Sequence, residues 1–153
     1  MRAVLQRVKS AQVSVSGEVC GSCADGWFIL LGVASDDEKT AADALAKKIA
    51  ALRLFEDENG KLNLDMRQIG GSALVVSNFT LCADCRHGNR PSFTSSASGE
   101  TALPLYEYFV KRLREESLCP VETGSFGADM VIETVCSGPV TVVLNAGNDG
   151  KIC

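Results

Sequence analysis

Ser72-Ala73-Leu74-Val75-Val76-Ser77-Asn78-Phe79-Thr80-Leu81 is the stretch on which the fold turns. It follows the glycine pair Gly70-Gly71, and the run Ala73-Leu74-Val75-Val76 carries no polar side chain. Such a run, rich in β-branched residues, predicts a strand covered on both faces and therefore one that lies in a core. The apolar character then stops, because Ser77, Asn78 and Thr80 place three hydrogen-bonding side chains around Phe79. A basic, turn-rich loop follows at Arg86-His87-Gly88-Asn89-Arg90-Pro91. Polar groups at the exit of a buried strand form a candidate reactive site. The same groups also fit a plainer role, in which Ser77 and Thr80 satisfy the backbone or pair across a sheet.

Upstream, Ala3 to Val8 and Ala11 to Val15 alternate by twos, and Ser16-Gly17-Glu18 supplies a turn, so two antiparallel strands are predicted to begin the sheet. Trp27 to Val33 is too apolar for an edge and reads as a central strand. Ser35-Asp36-Asp37-Glu38 has the form of a capping box, and Ala42, Leu45, Ala46, Ile49 and Leu52 recur at helical spacing, which predicts a helix from about Asp36 to Arg53. Asn59-Gly60 marks a hairpin between Leu54-Phe55 and Lys61 to Leu64.

Downstream, Ser92 to Glu100 reads as a flexible or ligand-facing loop. Pro104 suits the first turn of a second helix with a buried stripe of Leu105, Phe109 and Leu113, while Lys111 to Glu116 reads as a solvated face with internal ion pairs. Val121 to Gly124 suggests a short strand, Met130 to Cys136 and Val140 to Leu144 two more, and the tail from Asn145 to Cys153 is expected to fray. Ser137-Gly138-Pro139 separates those last two strands, and its proline is compatible with either an ordinary trans turn or a cis bond. The whole predicts a single domain over residues 1–153, of class α+β, with a mostly antiparallel, curved or barrel-like sheet and two flanking helices.

Composition narrows the function. With 46% hydrophobic and 22% charged residues the chain has the balance of a soluble globular domain, and its opening residues predict neither a signal peptide nor a membrane span, hence a cytoplasmic location. A net charge of −4 argues against gripping DNA or long RNA through many phosphates and leaves room only for a confined nucleic-acid contact. A catalytic triad needs an imidazole, and the one histidine, His87, sits in the basic loop. No P-loop, dinucleotide fingerprint or zinc-protease motif occurs. What remains is hydroxyls, backbone amides and arginines, a set suited to acyl-ester chemistry through oxyanion stabilisation. Among seven cysteines, Cys20 with Cys23 and Cys82 with Cys85 have the C-x-x-C spacing of zinc ligands or redox pairs. The two pairs lie far apart in the chain without a knuckle signature, so buried or incidental thiols are the reading preferred to a metal site.

Ser77-Asn78-Phe79-Thr80-Leu81 resembles the Ser-Gln-Phe-Thr-Leu motif of the D-aminoacyl-tRNA deacylases, and Gly138-Pro139-Val140-Thr141 matches their Gly-Pro-Val-Thr motif. The opening Met1 to Val8, the Asn89-Arg90-Pro91-Ser92-Phe93 loop and Gly124 to Met130 fall in the same order and spacing, so the resemblance spans nearly the whole chain. It implies a homodimer, without metal or cofactor, that hydrolyses the ester between a D-amino acid and the 3′ end of tRNA, with glycine on alanine tRNA as a further substrate. By the same resemblance Phe79 and Thr80 supply backbone N–H groups to the reacting carbonyl, Ser77 and Asn78 shape the pocket, and Phe126, Ala128 and Met130 contact the substrate. Gly138 and Pro139 would enter the partner's pocket through a cis bond and exclude L side chains, with Arg7 fixing their loop. Water would be activated by the tRNA 2′-hydroxyl, or Thr80 would act as nucleophile. Asn78 stands where the family motif has Gln, which leaves a non-catalytic aminoacyl-tRNA-binding module of the same fold as the alternative.

Overall fold

The structure, a computed structural model, describes Met1–Cys153. Along the chain come β1 (Arg2–Val15), β2 (Glu18–Cys23), β3 (Gly26–Gly32), α1 (Lys39–Ala50), β4 (Phe55–Glu56), β5 (Leu62–Leu64), β6 (Ser72–Ser77), a 3₁₀ turn (Phe79–Cys82), α2 (Gly99–Ser117), β7 (Val121–Thr123) and β8 (Val131–Asn145). The main sheet has the order β2-β1-β3-β6-β7, with β8 on the free side of β1, and β4 and β5 form a separate hairpin. β1 is antiparallel to β2, β3 and β8, whereas β6 is parallel to both β3 and β7.

The parallel pairing explains why β6 is apolar on both faces. Successive side chains of a strand point to opposite sides. Ala73 and Val75 join the larger core, with Trp27, Ile29 and Leu31 of β3 and the buried faces of α1 and α2. Leu74 and Val76 join a second core, with Val8, Val13, Cys23 and Phe28, on the opposite side of the sheet. The sheet curls until its two ends meet. A side chain on Gly21 of β2 would lie 2.3 Å from the Thr123 carbonyl oxygen of β7, so only glycine permits that approach. The Ser22 N–H also donates to the Glu122 carboxylate at 2.7 Å, which fastens the nearly closed barrel. The α+β class, the two helices and the barrel-like sheet are therefore as the sequence predicts.

Several local expectations are corrected. The two predicted opening strands are one: β1 continues through Lys9-Ser10, and its register against β8 shifts on either side of Val8. Those irregularities let its first half pair with β3 and its second with β2. The two predicted late strands are likewise one, because β8 pairs along β1 on both sides of Ser137-Gly138-Pro139. The capping box does not form. The Asp37 carboxylate instead pairs with the amino group of Met1 and accepts the Ala34 N–H at 2.6 Å, and α1 starts at Lys39 with no side-chain cap. Pro104 falls inside α2 rather than in its first turn, because Ser98 caps a helix that begins at Gly99. The tail is tied down: Asn145 and Cys153 exchange two backbone bonds of 2.9 and 2.8 Å, and Asn148 accepts the Glu38 N–H at 2.9 Å.

Candidate active site

Because β3, β6 and β7 run parallel, their C-terminal ends open on one side, the usual place for a ligand between parallel strands. A cavity of about 510 Å³ lies there. Leu31 and Val33 reach it from the end of β3, Ser77, Asn78 and Phe79 from the end of β6, and Phe126, Gly127, Ala128 and Met130 from the loop after β7. Phe93, Ser96, Ala97, Gly99 and Ala102 complete the wall from the loop before α2 and its first turn. No lining side chain titrates, so the wall offers shape, hydroxyls, an amide and backbone dipoles rather than an acid or base.

Six of the residues singled out in the sequence thus meet at one cavity: Ser77, Asn78, Phe79, Phe126, Ala128 and Met130. Thr80 is not among the lining residues. Asn78 is extended and caps the 3₁₀ turn, its side-chain oxygen accepting the Thr80 N–H at 3.1 Å and also the Thr80 hydroxyl. The Phe79 ring remains 59% exposed and meets Phe93 edge to face, with centroids 5.0 Å apart. Phe126 packs against Tyr106 at 5.6 Å. The Tyr106 hydroxyl donates to the Val75 carbonyl at 2.8 Å, and the same carbonyl accepts the Gly124 N–H at 3.1 Å, which ties the β7 loop and α2 to the reactive strand. Burial pushes the Tyr106 phenol well above its ordinary pKa, so it remains a neutral donor.

Arg7, Gly138 and Pro139 lie apart from that cavity. Arg7 is buried, and its guanidinium donates to the carbonyls of Ser137 at 3.2 Å and Leu54 at 2.9 Å while pairing with Glu56 at 3.2 Å. The Gly138–Pro139 peptide is cis and both residues are exposed. Gly138 has φ +126° and a side chain there would meet the Val140 nitrogen at 2.6 Å, so the position is closed to other residues. Phe93 is a functional candidate that the sequence reading carried only within a framing segment; an aromatic residue in an otherwise polar loop, two positions after Pro91, was the available signal.

The cysteine pairs do not converge. Cys20 is exposed and Cys23 buried on β2, Cys82 and Cys85 flank the end of the 3₁₀ turn, and no group of three or more His, Cys, Asp or Glu side chains gathers in metal-binding geometry. Burial raises the Cys23 thiol to about 11 and also raises Cys82, where Asp37 adds to the effect. Protonated thiols are poor ligands and poor nucleophiles.

Residues 4–145 match the sequence profile of the D-Tyr-tRNA(Tyr) deacylase family. The chain belongs to this family. A D-aminoacyl-tRNA deacylase of Anaeromyxobacter dehalogenans (strain 2CP-C) is 53% identical over 146 residues, covering 95% of this chain and 97% of that one. The corresponding protein of Thermosipho melanesiensis (strain DSM 12029 / CIP 104789 / BI429) is 49% identical over 146 residues, with coverage of 95% and 97%. Among solved structures, a c-Myc DNA Unwinding Element Binding Protein superposes with TM-score 0.89 at 35% identity, covering 96% of this chain and 99% of its own. A probable eukaryotic D-amino acid tRNA deacylase, at TM-score 0.75 and 16% identity over 93% of this chain and 97% of its own, shares the fold. Membership of the deacylase family makes the protein an enzyme of the hydrolase class.

Proposed function

We propose that the protein hydrolyses the ester between a D-amino acid and the terminal adenosine of tRNA, releasing the free D-amino acid and tRNA. One observation carries the reading: the exit of β6 opens into an apolar cavity without a titratable wall, in a chain about half identical to D-aminoacyl-tRNA deacylases. An aminoacyl ester is already activated, and stabilising its oxyanion is worth roughly 3 kcal/mol of barrier per donor. The backbone N–H groups of Phe79 and Thr80 are the proposed donors, with Ser77, Asn78, Phe126, Ala128 and Met130 shaping the pocket and the Phe79 ring meeting the terminal adenine. The Thr80 hydroxyl donates to the Asn78 carboxamide, and an amide oxygen is no general base. That favours water activated by the tRNA 2′-hydroxyl over Thr80 as nucleophile.

Selectivity is proposed to come from a second copy of the chain. β8 pairs only with β1 and carries exposed Val131, Ile132, Val135 and Val143, an apolar edge of the kind that proteins cover. In the resulting homodimer, Gly138 and Pro139 of one copy close the cavity of the other, held by Arg7 from within their own chain. An L side chain collides with that backbone, a D side chain points away, and glycine has nothing to exclude, so glycine carried on alanine tRNA is a substrate as well. Neither cofactor, metal, DNA nor membrane enters the scheme, and the work is cytoplasmic. The test is a deacylation time course on D- and L-tyrosyl-tRNA with the purified protein and no added metal. Release of D-tyrosine with the L ester spared supports the reading. Equal loss of both enantiomers removes the selectivity, and binding without shortening the ester lifetime establishes a non-catalytic module instead.

A further inference from the structure

We propose that Asn78 is a latch on Thr80 that competes with the substrate's ester carbonyl for the Thr80 N–H. The inference rests on the reaction proposed above, which gives that N–H a part in binding the carbonyl. Two observations meet here. The Asn78 side-chain oxygen accepts both the N–H of Thr80, at 3.1 Å, and its hydroxyl. Asn78 also lines the cavity whereas Thr80 does not, so the residue that holds the Thr80 N–H is itself part of the cavity wall.

An amide N–H carries one proton, and a carbonyl entering the cavity shares or displaces the oxygen already bound to it. The latch therefore has two opposed effects. It holds the 3₁₀ turn in shape while the cavity is empty, as a short Asn side chain at a cap position does. It also lowers the affinity of the carbonyl by the worth of one exposed hydrogen bond, about fivefold. The position thereby sets how readily the site accepts an ester. This residue positions Thr80 and tunes its availability; it does not itself attack the ester.

The order of affinities across three proteins tests this. The probe is D-tyrosine joined by an amide to 3′-amino-3′-deoxyadenosine, which presents the same carbonyl and resists hydrolysis, titrated calorimetrically into the full chain and its Asn78→Ala and Asn78→Asp variants. Asp is as good a cap as Asn, so the fold is kept, but its charged oxygen grips an N–H about twice as strongly. The expected order is Ala tighter than wild type by about fivefold, and Asp weaker than wild type by a further factor of about five. The Asp variant is expected to regain affinity as pH falls through its carboxylate titration, a response that a purely structural cap does not give. Any other order, or an Asp variant that binds like wild type at neutral pH, overturns the latch. A wild-type protein that binds the probe but leaves D-tyrosyl-tRNA intact overturns the proposed function while the affinity order still decides the role of Asn78. Failure of all three proteins to bind overturns both.

Discussion

The Arg7 Nε donates to the Ser137 carbonyl at 3.2 Å, joining two positions 130 residues apart in the chain. The same guanidinium holds the Leu54 carbonyl and Glu56, and the residue is only 7% exposed. Replacing Arg7 with Ala empties the space of a buried side chain and leaves its half-buried carbonyl acceptors without that donor, and is expected to lower stability by about 3 kcal/mol, read from urea unfolding. Arg7→Lys is expected to recover less than half of that loss, because an ammonium lacks the fork that reaches several acceptors at once. Full recovery by Lys would show that charge alone holds the Ser137 segment.

Tyr106 and Val75 give a second expectation. Tyr106→Phe removes the hydroxyl bonded to the Val75 carbonyl and keeps the ring against Phe126. Since Gly124 still donates to that carbonyl, the expected cost is about 1 kcal/mol, seen as a lower urea midpoint with an unchanged slope. A loss several times larger would mean that the hydroxyl organises the whole Gly124 to Met130 loop.

What was legible in the sequence follows from where its causes lie. β6 could be read because each of its faces enters a core and every residue from Ala73 to Val76 reports it. The continuity of β1 and β8 could not, because Lys9-Ser10 and Ser137-Gly138-Pro139 interrupt the local pattern while each strand is held by the other. Asp37 misled because its cap signal is local and its partner, the amino group of Met1, comes from the far edge of the sequence neighbourhood. At the site, the run Ser77 to Phe79 announced itself by composition. The engagement of Thr80 by Asn78 is a local cap two residues long, of the kind an Asn before a turn forms, whereas the separation of Arg7 and Gly138-Pro139 from the cavity of their own chain depends on three-dimensional placement that no local motif encodes.

Because no titratable side chain lines the cavity, the deacylation rate is expected to rise steadily with pH between about 6 and 8.5, without a bell. His87 lies exposed in the basic loop, outside the cavity wall. His87→Ala is therefore expected to change the rate on D-tyrosyl-tRNA by less than about twofold at neutral pH. An inflection in the wild-type profile that vanishes in the variant would assign the imidazole to the reaction.

Cys23 is expected to contribute to the loss of stability at alkaline pH. Burial raises its thiol to about 11 in the folded protein, above the value of 9.0 that it has when exposed. A raised folded-state pKa means that the contribution is fully present below pH 9 and is lost as pH rises toward 11, because the unfolded chain releases the proton first. Urea unfolding at pH 8 and at about 10.5 is expected to show a steeper alkaline loss for wild type than for Cys23→Ala. Equal losses would place the alkaline sensitivity on other groups, such as Tyr106.

The exposed edge of β8 yields the last expectation. Val135 is 58% exposed and Val131 65%, so a charge at either position costs the isolated fold little. If a second copy covers this edge, Val135→Lys places an unpaired ammonium in an apolar interface, and like charges face each other wherever the contact is symmetric. Sedimentation velocity is then expected to change from a dimer in wild type to a monomer in the variant, with the thermal unfolding of the monomer still cooperative. Selectivity should fall with the dimer: an isolated chain keeps the cavity at the end of β6 but lacks a neighbour's Gly138 and Pro139, so the ratio of D to L hydrolysis drops. A variant that stays dimeric moves the interface away from β8. A monomer that keeps full enantiomer preference transfers the origin of selectivity to the cavity of the single chain.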